Sequence, residues 1–366
     1  MRIQAKWGFV IWHFCALPNF IFQVQYGLLA FHLDYLHMNL RAILLGFLSL
    51  SASAGVMGAE LRIGIIGCDT SHATAFTKIF NDPTDKNHVE GAKVVVFYKG
   101  GSADIKDSAD RVEKIAGDLR EKYGVKEMTS VDDLCKEVDV VLLESLDGRP
   151  KLEQVRPVLK AHKPVFIDKP IASSLKEVLE INRLAKESKT PWFSSSAYRF
   201  YNSMVELKGT NVGTIMGAIS YGPCELEEHH PDFFWYGIHP TEALFTVMGP
   251  DCVSVVRTST PDTDVATGVW AGGRVGTFRG ARNSSVASVH KVTVFGSKAV
   301  VEQAKGTDDY APLVRQIMNF FQTGIAPVPN EETIAIYAFM EAADESKRQG
   351  GKSVKIADVI SRNGGL

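Results

Sequence analysis

Short apolar runs alternate with amphipathic stretches between residues 60 and 197. The run LRIGII at 61–66 ends at Gly67 and is followed by the helical pattern ATAFTKIF, which predicts a strand, a tight turn and a helix. The alternation continues with predicted strands Lys93–Tyr98, Val138–Glu144 and Pro164–Ile167 and predicted helices Ser108–Tyr123 and Leu152–Ala161. Strands that alternate with helices predict a parallel doubly wound sheet, which binds ligands at the carboxyl ends of its strands.

After Arg199 the pattern changes to short strand-like runs separated by glycine turns. These runs are Thr214–Tyr221, Asp264–Trp270, Arg274–Arg279, His290–Phe295 and Ala299–Glu302. Helical patterns cover His239–Met248, Tyr310–Thr323 and Glu331–Gln349. We therefore predict an α/β protein whose doubly wound domain covers residues 60–197, followed by an α+β domain with an open, mainly antiparallel sheet over residues 198–366.

Residues 1–59 are rich in aromatic and aliphatic side chains and contain few acids. From Met38, a segment with Arg41, the apolar run 42–50 and the small residues 51–54 has the three parts of a signal peptide. We predict a signal at about residues 38–54 behind an upstream extension, with export to the periplasm and no membrane contact after cleavage. The alternatives are a membrane anchor, which the charge of Asp34 disfavours, and a cytoplasmic protein.

The composition is that of an ordinary globular chain, with 366 residues, 45% hydrophobic and 22% charged. Forty basic against 42 acidic side chains leave a net charge of -2, so no electrostatic footprint for nucleic acid is present. The five cysteines are scattered without a C-x-x-C pair, which indicates neither a disulfide framework nor a structural zinc site. These properties favour a small-molecule partner.

The turn after the first strand is a candidate diphosphate site. Helix N-termini beside a glycine turn present free N–H groups and a positive dipole end to a phosphate. The dinucleotide fingerprint G-x-G-x-x-G needs two more glycines, and Asp69 and His72 stand at those positions. We predict cofactor contacts from the turn and from the ends of the next strands. These residues are Gly67, Asp69, Thr70, Ser71, His72, Lys99, Ser102, Glu144, Asp168 and Lys169.

The identity of the dinucleotide depends on the residues after the second strand. An acid that binds a free ribose 2′-hydroxyl is expected there for NAD. The sequence has Lys99, Gly100, Gly101 and Ser102 instead, and a lysine with a serine suits a 2′-phosphate. We predict NADP or NAD, with a slight preference for NADP; a solvated loop lysine is the alternative.

The segment VFIDKP at 165–170 resembles the Glu-Lys-Pro signature of the Gfo/Idh/MocA oxidoreductases, with Asp168 in place of the glutamate. Similar segments follow in the family's order, including Arg199-Phe200, GIHPTEALFTVMG, KVTVFGSKAVV and NEETIAIYAFMEAADESKRQG. The resemblance covers about residues 60 to 355. It implies a Rossmann-like first domain, a sugar- or polyol-type substrate, and a homo-oligomer formed through the second sheet.

The resemblance also implies the reacting groups. The signature lysine corresponds to Lys169, which would orient the reacting hydroxyl or transfer its proton. The family's Asp-x-Gly-x-His pattern reads Trp235-Tyr236-Gly237-Ile238-His239 here, so His239 is retained and the aspartate is lost. Glu242 follows one turn later and is a candidate partner of His239.

The stretch from Cys224 to Asp232 is dense in ionisable side chains, and it offers substitutes for the missing aspartate. Asp232 and His230 are the candidates, while Arg199, His229, Tyr236 and Glu242 are predicted substrate contacts. A metal site formed by His229, His230, Asp232 and His239 fits no defined spacing, so we predict no metal.

Two functions of different classes follow from these patterns. The first is an NAD(P)-dependent oxidoreductase acting on a sugar, polyol or similar hydroxylated compound, with Lys169 and His239 as the reacting pair. The second is an exported binding protein or a non-redox carbohydrate-active enzyme that keeps the fold. The lost glycines and Trp235 favour the second function, and the retained Lys169 and His239 favour the first.

Overall fold

The fold is taken from a computed structural model that describes residues 59–284, 286, 289–306 and 309–365. The predicted signal segment and upstream extension lie outside the described residues, except for residue 59. In the described part of the chain no helix combines the length and the apolar character that crossing a membrane requires.

The first sheet contains six parallel strands in the order β3-β2-β1-β4-β5-β6. The strands are β1 Leu61–Ile66, β2 Ala92–Tyr98, β3 Lys126–Met128, β4 Val140–Leu143, β5 Val165–Ile167 and β6 Trp192–Phe193. The order reverses between β1 and β4, and the carboxyl ends of these two strands therefore flank the crevice where such sheets bind ligands. The predicted doubly wound parallel sheet is confirmed.

Six helices connect these strands. They are α1 Ser71–Asn81, α2 Lys106–Ala109, α3 Val112–Tyr123, α4 Val131–Glu137, α5 Lys151–Lys160 and α6 Leu175–Ser188. The side chains of Thr70, Ser130 and Ser174 cap α1, α4 and α6 by accepting backbone N–H groups of the first turn. The prediction of one helix over Ser108–Tyr123 was wrong, because the helical hydrogen bonding is interrupted at Asp110–Arg111, between α2 and α3.

The second sheet contains seven strands in the order β12-β11-β7-β10-β9-β8-β13. They are β7 Ile215–Pro223, β8 Cys252–Ser259, β9 Thr263–Trp270, β10 Val275–Ala281, β11 Lys291–Gly296, β12 Val300–Glu302 and β13 Val354–Lys355. Only β7 and β10 pair in parallel among these described strands, so the mainly antiparallel prediction is confirmed. The sequence patterns did not reveal β8 or the two-residue β13.

Five helices accompany the second sheet. They are α7 Asn202–Gly209, α8 Ile238–Met248, α9 Ala311–Thr323, α10 Asn330–Arg348 and α11 Ile356–Arg362. Helix α8 packs between the sheet and α10, and ten of its eleven residues are buried. A helix that is enclosed in this way is expected to be apolar on most sides. The opposite side of the sheet exposes apolar side chains. These are Met216, Ile219, Val253, Val256, Val269, Val275 and Val300.

Candidate functional site

The turn after β1 is built around Gly67, whose φ of +95° suits glycine. A Cβ atom at this position would lie 2.4 Å from the backbone nitrogen of Ser145, which follows β4. The N–H groups of Gly67 and Cys68 donate to the carbonyl oxygens of Tyr98 and Lys99. The ends of β1, β2 and β4 are therefore held close together, and the turn leads directly into the N-terminus of α1.

Asp69 lies beside this N-terminus and is completely buried. Its Oδ1 accepts the backbone N–H of Leu146 at 3.0 Å, and its Oδ2 accepts the hydroxyl of Ser108 on α2 at 2.7 Å. Because a helix N-terminus attracts anions, the protein's own carboxylate lies where a diphosphate is expected to bind. Thr70, the residue that caps α1, accepts the N–H of His72, and Ser71 begins the helix.

The two residues that suggested NADP already have protein partners. The ammonium of Lys99 donates to Glu113 Oε1 at 2.7 Å, and both side chains are accessible to solvent. The hydroxyl of Ser102 donates to Asp147 Oδ2 at 2.6 Å. These contacts partly neutralise Lys99, and they leave the choice between NADP and NAD as a prediction.

The ends of β4 and β5 bring Glu144 and Asp168 next to His72. The Nδ1 atom of His72 lies 2.8 Å from Asp168 Oδ2 and 3.9 Å from Glu144 Oε2. Burial, reinforced by the charge of Asp168, raises the pKa of Glu144. Burial would also raise the pKa of Asp168, but His72, through its charge and its hydrogen bond, holds that pKa below the usual range.

A completely buried lysine supports the end of β5. Lys151, the first residue of α5, donates from its ammonium to the backbone carbonyl of Asp168. Burial lowers the pKa of Lys151 to about 8, against the opposing influence of Asp168 and Glu144. Its hydrogen bond fixes the backbone immediately before Lys169.

Lys169 leaves the sheet edge just after Asp168, and its ammonium lies 5.9 Å from the centre of the Tyr236 ring. His239, in the first turn of α8, has its Nδ1 atom 2.7 Å from the hydroxyl of Ser196. Burial, followed by the charge of Lys169, lowers the pKa of His239 well below the ordinary value. His239 is therefore a neutral imidazole at physiological pH, with a lysine charge close enough to affect it.

Trp235, which stands where the resemblance expects an aspartate, has a packing role. It is buried against Ile105 and Leu146, and its ring centre lies 4.9 Å from that of His230. Tyr236 packs at the edge of the same cluster, where burial raises the pKa of its hydroxyl. These contacts join the loop before α8 to the segments that follow β2 and β4.

The structure gives the two candidate substitutes for that aspartate other partners. The Nε2 atom of His230 accepts the backbone N–H of Gly148 and lies 3.1 Å from Asp147, while its Nδ1 atom contacts Glu227. Asp232 accepts hydrogen bonds from Arg257 and Lys347. The nearby His229 contacts Glu227. His229 and His230 thus share Glu227, whereas Asp232 and His239 have other partners.

Glu242, the candidate partner of His239, forms its hydrogen bonds with other groups. Its carboxylate accepts from Arg199 Nε at 2.7 Å, from the hydroxyl of Ser195 and from the backbone N–H of Ser196. Arg199 also donates to Glu332, and both groups of the Arg199–Glu242 pair are buried. This pair holds the loop that presents Ser196 to His239, so Glu242 acts on His239 through Ser196.

The structure therefore brings Lys169, His239, Asp168, Glu144 and His72 to one edge, and it directs Asp232 and Arg199 to ion pairs. Sequence reasoning missed four side chains of this edge, Lys151, Ser196, His290 and Tyr310. The ring centre of His290 lies 5.9 Å from that of His239, and the ring centre of Tyr310 lies 4.7 Å from that of His72. These four residues come from distant segments that contain no local motif. Only Ser196 could have been found from the sequence, because it follows the end of a strand, β6.

Residues 61–194 match the model of the oxidoreductase family with an NAD-binding Rossmann fold, Gfo/Idh/MocA. Residues 61–194 therefore form a domain of the Gfo/Idh/MocA type. An uncharacterised oxidoreductase of Streptococcus pneumoniae is 27% identical over 192 residues, covering 49% of this chain. The match spans 47% of that relative, about half its length. The predicted family is confirmed, and its description as NAD-binding agrees with the predicted dinucleotide cofactor.

Solved structures share the fold of both domains. A probable dehydrogenase from Thermotoga maritima superposes with a TM-score of 0.68 at 20% identity, covering 82% of this chain and 100% of that one. The scyllo-inositol dehydrogenase of Lactobacillus casei with bound NAD(H) and scyllo-inositol gives 0.65 at 15% identity, covering 81% and 99%. At these identities the likeness concerns the fold.

The residues at this edge of the Gfo/Idh/MocA domain fit a dinucleotide with one exception. The requirement for glycine at Gly67 and the amides that open α1 suit a diphosphate, and Asp168 and Lys169 stand at the end of β5. The exception is Asp69, whose buried carboxylate precedes α1 and would repel a diphosphate bound at its first amides. Binding there requires that this carboxylate turn away or that the diphosphate lie farther from the turn.

Proposed function

We propose that this chain is a nicotinamide-dependent oxidoreductase that acts on a hydroxyl group of a sugar, polyol or similar compound. The observation that carries the proposal is that Lys169 and His239 meet at the Tyr236 ring, each 5.9 Å from its centre, beside the carboxyl edge of a Gfo/Idh/MocA domain. A fold alone does not determine a reaction, so the proposal depends on these two side chains.

The chain's own residues support a specific division of labour. The amides opening α1 would hold the diphosphate, and Asp168 and Lys169 would border the nicotinamide, which supplies a hydride acceptor when it is bound. The ammonium of Lys169 donates a hydrogen bond to the reacting hydroxyl and stabilises developing negative charge on its oxygen. The neutral imidazole of His239 accepts the hydroxyl proton, and Ser196 holds the ring in orientation.

One observation favours the second candidate, a non-redox protein that keeps the fold. Asp69 places a buried carboxylate beside the N-terminus of α1, and His72 stands at the third glycine position of the fingerprint. We keep this candidate as the alternative. Export to the periplasm and assembly into a homo-oligomer also stay predictions, although the exposed apolar side chains of the second sheet support a partner surface of this kind.

The decisive experiment measures nucleotide in the purified full chain. After denaturation, the released fraction is examined by absorbance and mass for NAD and NADP, and each nucleotide is tested for a rise in Tm. Released nucleotide, or a rise in Tm on addition of NAD or NADP, supports the oxidoreductase. If neither is observed, the oxidoreductase is refuted in favour of the non-redox alternative.

Lys169→Ala tests the role of the lysine. We expect turnover of a polyol substrate to fall by at least about 100-fold with little change in Tm, because the variant removes a group that acts in proton handling. Lys176→Ala is the matched control, because Lys176 is an exposed lysine on α6. Retained turnover in Lys169→Ala would contradict the assignment.

A further inference from the structure

Three buried side chains from separate elements converge beside Lys169. His72 comes from α1, Glu144 follows β4, and Asp168 follows β5. One nitrogen or oxygen atom from each residue lies within 4.8 Å of the corresponding atoms of the other two. The carboxyl ends of parallel strands meet at one edge, which explains how residues 72, 144 and 168 reach a common point.

Unpaired oxygen atoms distinguish this cluster from an ordinary buried ion pair. Both carboxylate oxygens of Glu144 and the Oδ1 atom of Asp168 are buried and accept no hydrogen bond. Glu144 has no exposed surface. The nearby ammonium of Lys151 donates to the backbone carbonyl of Asp168 and not to either carboxylate. Buried polar atoms without partners are costly, so the arrangement needs a positively charged or donating group.

We propose that His72, Glu144 and Asp168 bind a divalent transition-metal ion, with Zn²⁺ as the representative ion. One imidazole nitrogen and two carboxylate oxygens form a mixed set of ligands that suits Zn²⁺ better than Mg²⁺, which prefers oxygen ligands. Three protein ligands leave a position for water or a substrate oxygen, as in catalytic zinc sites. The inference does not rest on the proposed function, since it concerns binding of the ion alone.

The orientation of His72 supports this assignment. Its ring stacks on Phe76 with centres 5.2 Å apart, and Tyr310 packs against it edge-on. Such contacts hold the ring so that Nδ1 faces the carboxylates. Glycine at this position of the fingerprint allows close packing of helix and strand, and the histidine instead places a ligand atom between them.

The competing explanation is a proton shared among the same three groups. A protonated Glu144 would reduce the repulsion between two adjacent carboxylates without any metal. The two explanations differ in what the purified protein binds. A metal site binds one equivalent of ion and releases protons, because its ligands must be deprotonated. A proton-sharing cluster binds no ion.

The test uses the full chain after treatment with a chelator and dialysis, without nucleotide. Zn²⁺ is titrated by calorimetry, with Mn²⁺ and Mg²⁺ in parallel. We expect one Zn²⁺ per chain, weaker binding of Mn²⁺, the weakest binding of Mg²⁺, and a rise in Tm on Zn²⁺ addition. Visible absorption bands after Co²⁺ substitution report coordination directly and need no variant.

Glu144→Gln identifies the site, because it keeps the shape of the side chain and removes one anionic ligand. We expect its affinity for Zn²⁺ to fall at least about 10-fold, the smallest loss expected even for residues outside the ligand set. Glu225→Gln is the control, because Glu225 also has a buried oxygen without a hydrogen bond but lies outside the cluster. Binding of less than one equivalent, or unchanged affinity in Glu144→Gln, would overturn the proposal.

Discussion

Two buried clusters of charge in the described part of the chain differ in how completely their hydrogen bonds are satisfied. In the second domain, Arg257 is almost fully buried and donates to Asp264, Asp232 and Asp344. Its guanidinium also lies 4.0 Å from the centre of the Phe233 ring. At the edge of the first sheet, Glu144 accepts no hydrogen bond at all.

This difference in hydrogen bonding indicates that the Arg257 cluster is structural and that the cluster at the sheet edge is functional. The planar guanidinium of Arg257 has donors in fixed directions, and the acids around it come from strands and helices that the core already positions. The cluster of His72, Glu144 and Asp168 has more acceptors than donors, so folding alone leaves it incomplete. Incomplete polar sites of this kind are where ligands and ions bind.

The largest expected effect comes from removing the centre of the satisfied cluster. Arg257→Ala leaves the buried carboxylate of Asp344 without its cation and that of Asp264 with Arg282 alone, and we expect a loss of about 3–5 kcal/mol in the free energy of unfolding. Urea denaturation measures this loss. Arg183→Ala provides the control, because Arg183 forms exposed ion pairs with Glu180 and Glu187, and its loss should change the free energy of unfolding far less. Equal losses in the two variants would erase the proposed distinction.

A second test concerns the one carboxylate of the Arg257 cluster that is only partly satisfied. Asp344 has a buried oxygen without a hydrogen bond, and burial raises its pKa to about 7 against the opposing charge of Arg257. An acid with a raised folded pKa destabilises the protein as pH increases from its unfolded value toward that folded value. Between pH 5 and pH 7 the expected loss is about 2–3 kcal/mol, at about 1.4 kcal/mol per unit.

Asp344→Asn should remove this part of the pH dependence. The variant and the native chain are compared by urea denaturation at several pH values, and their difference in unfolding free energy should shift in favour of the variant as pH rises. If this difference is constant across the range, Asp344 stays ionised in the folded protein. The charge of Arg257 would then be enough to offset the burial of the Asp344 carboxylate.

The sequence predicted the parts of the fold that depend on local patterns. Alternating apolar strands and amphipathic helices were enough for the doubly wound sheet, and the run of motifs was enough for the family. The break between α2 and α3 was missed because Ser108 turns inward to bind Asp69, a contact between residues 39 positions apart. Tertiary contacts of this kind override a helical pattern.

The sequence predicted the site residues that lie at strand ends or in motifs, but not those whose role depends on tertiary contacts. Glu144, Asp168 and Lys169 follow directly from the rule that ligands bind at the carboxyl ends of strands. Asp232 was predicted as a substitute for the missing aspartate, but it accepts a hydrogen bond from Arg257. The sequence gives no sign that these two residues are in contact. Lys151 and Ser196 were missed for the same reason, since their importance comes from the backbone carbonyl and the imidazole that they contact.

The smallest expected effect concerns Asp69, which shares the sheet edge with the unsatisfied cluster but has its hydrogen bonds satisfied. Asp69→Gly removes a negative charge from beside the N-terminus of α1 and frees the N–H of Leu146. Less repulsion of a diphosphate should increase the affinity for NAD about 10-fold, which corresponds to about 1.4 kcal/mol. Calorimetry with NAD and with NADP measures the change.

Ser108→Ala separates the charge of Asp69 from its anchoring. It removes the hydroxyl that holds Asp69 Oδ2 and keeps the carboxylate, so affinity for NAD should change less than in Asp69→Gly. If Asp69→Gly binds NAD no better than the native chain while its Tm is preserved, repulsion at the turn is not what limits binding. The hydrogen bonds of Asp69 would then be structural, like those of Arg257, and the turn would no longer bind a phosphate.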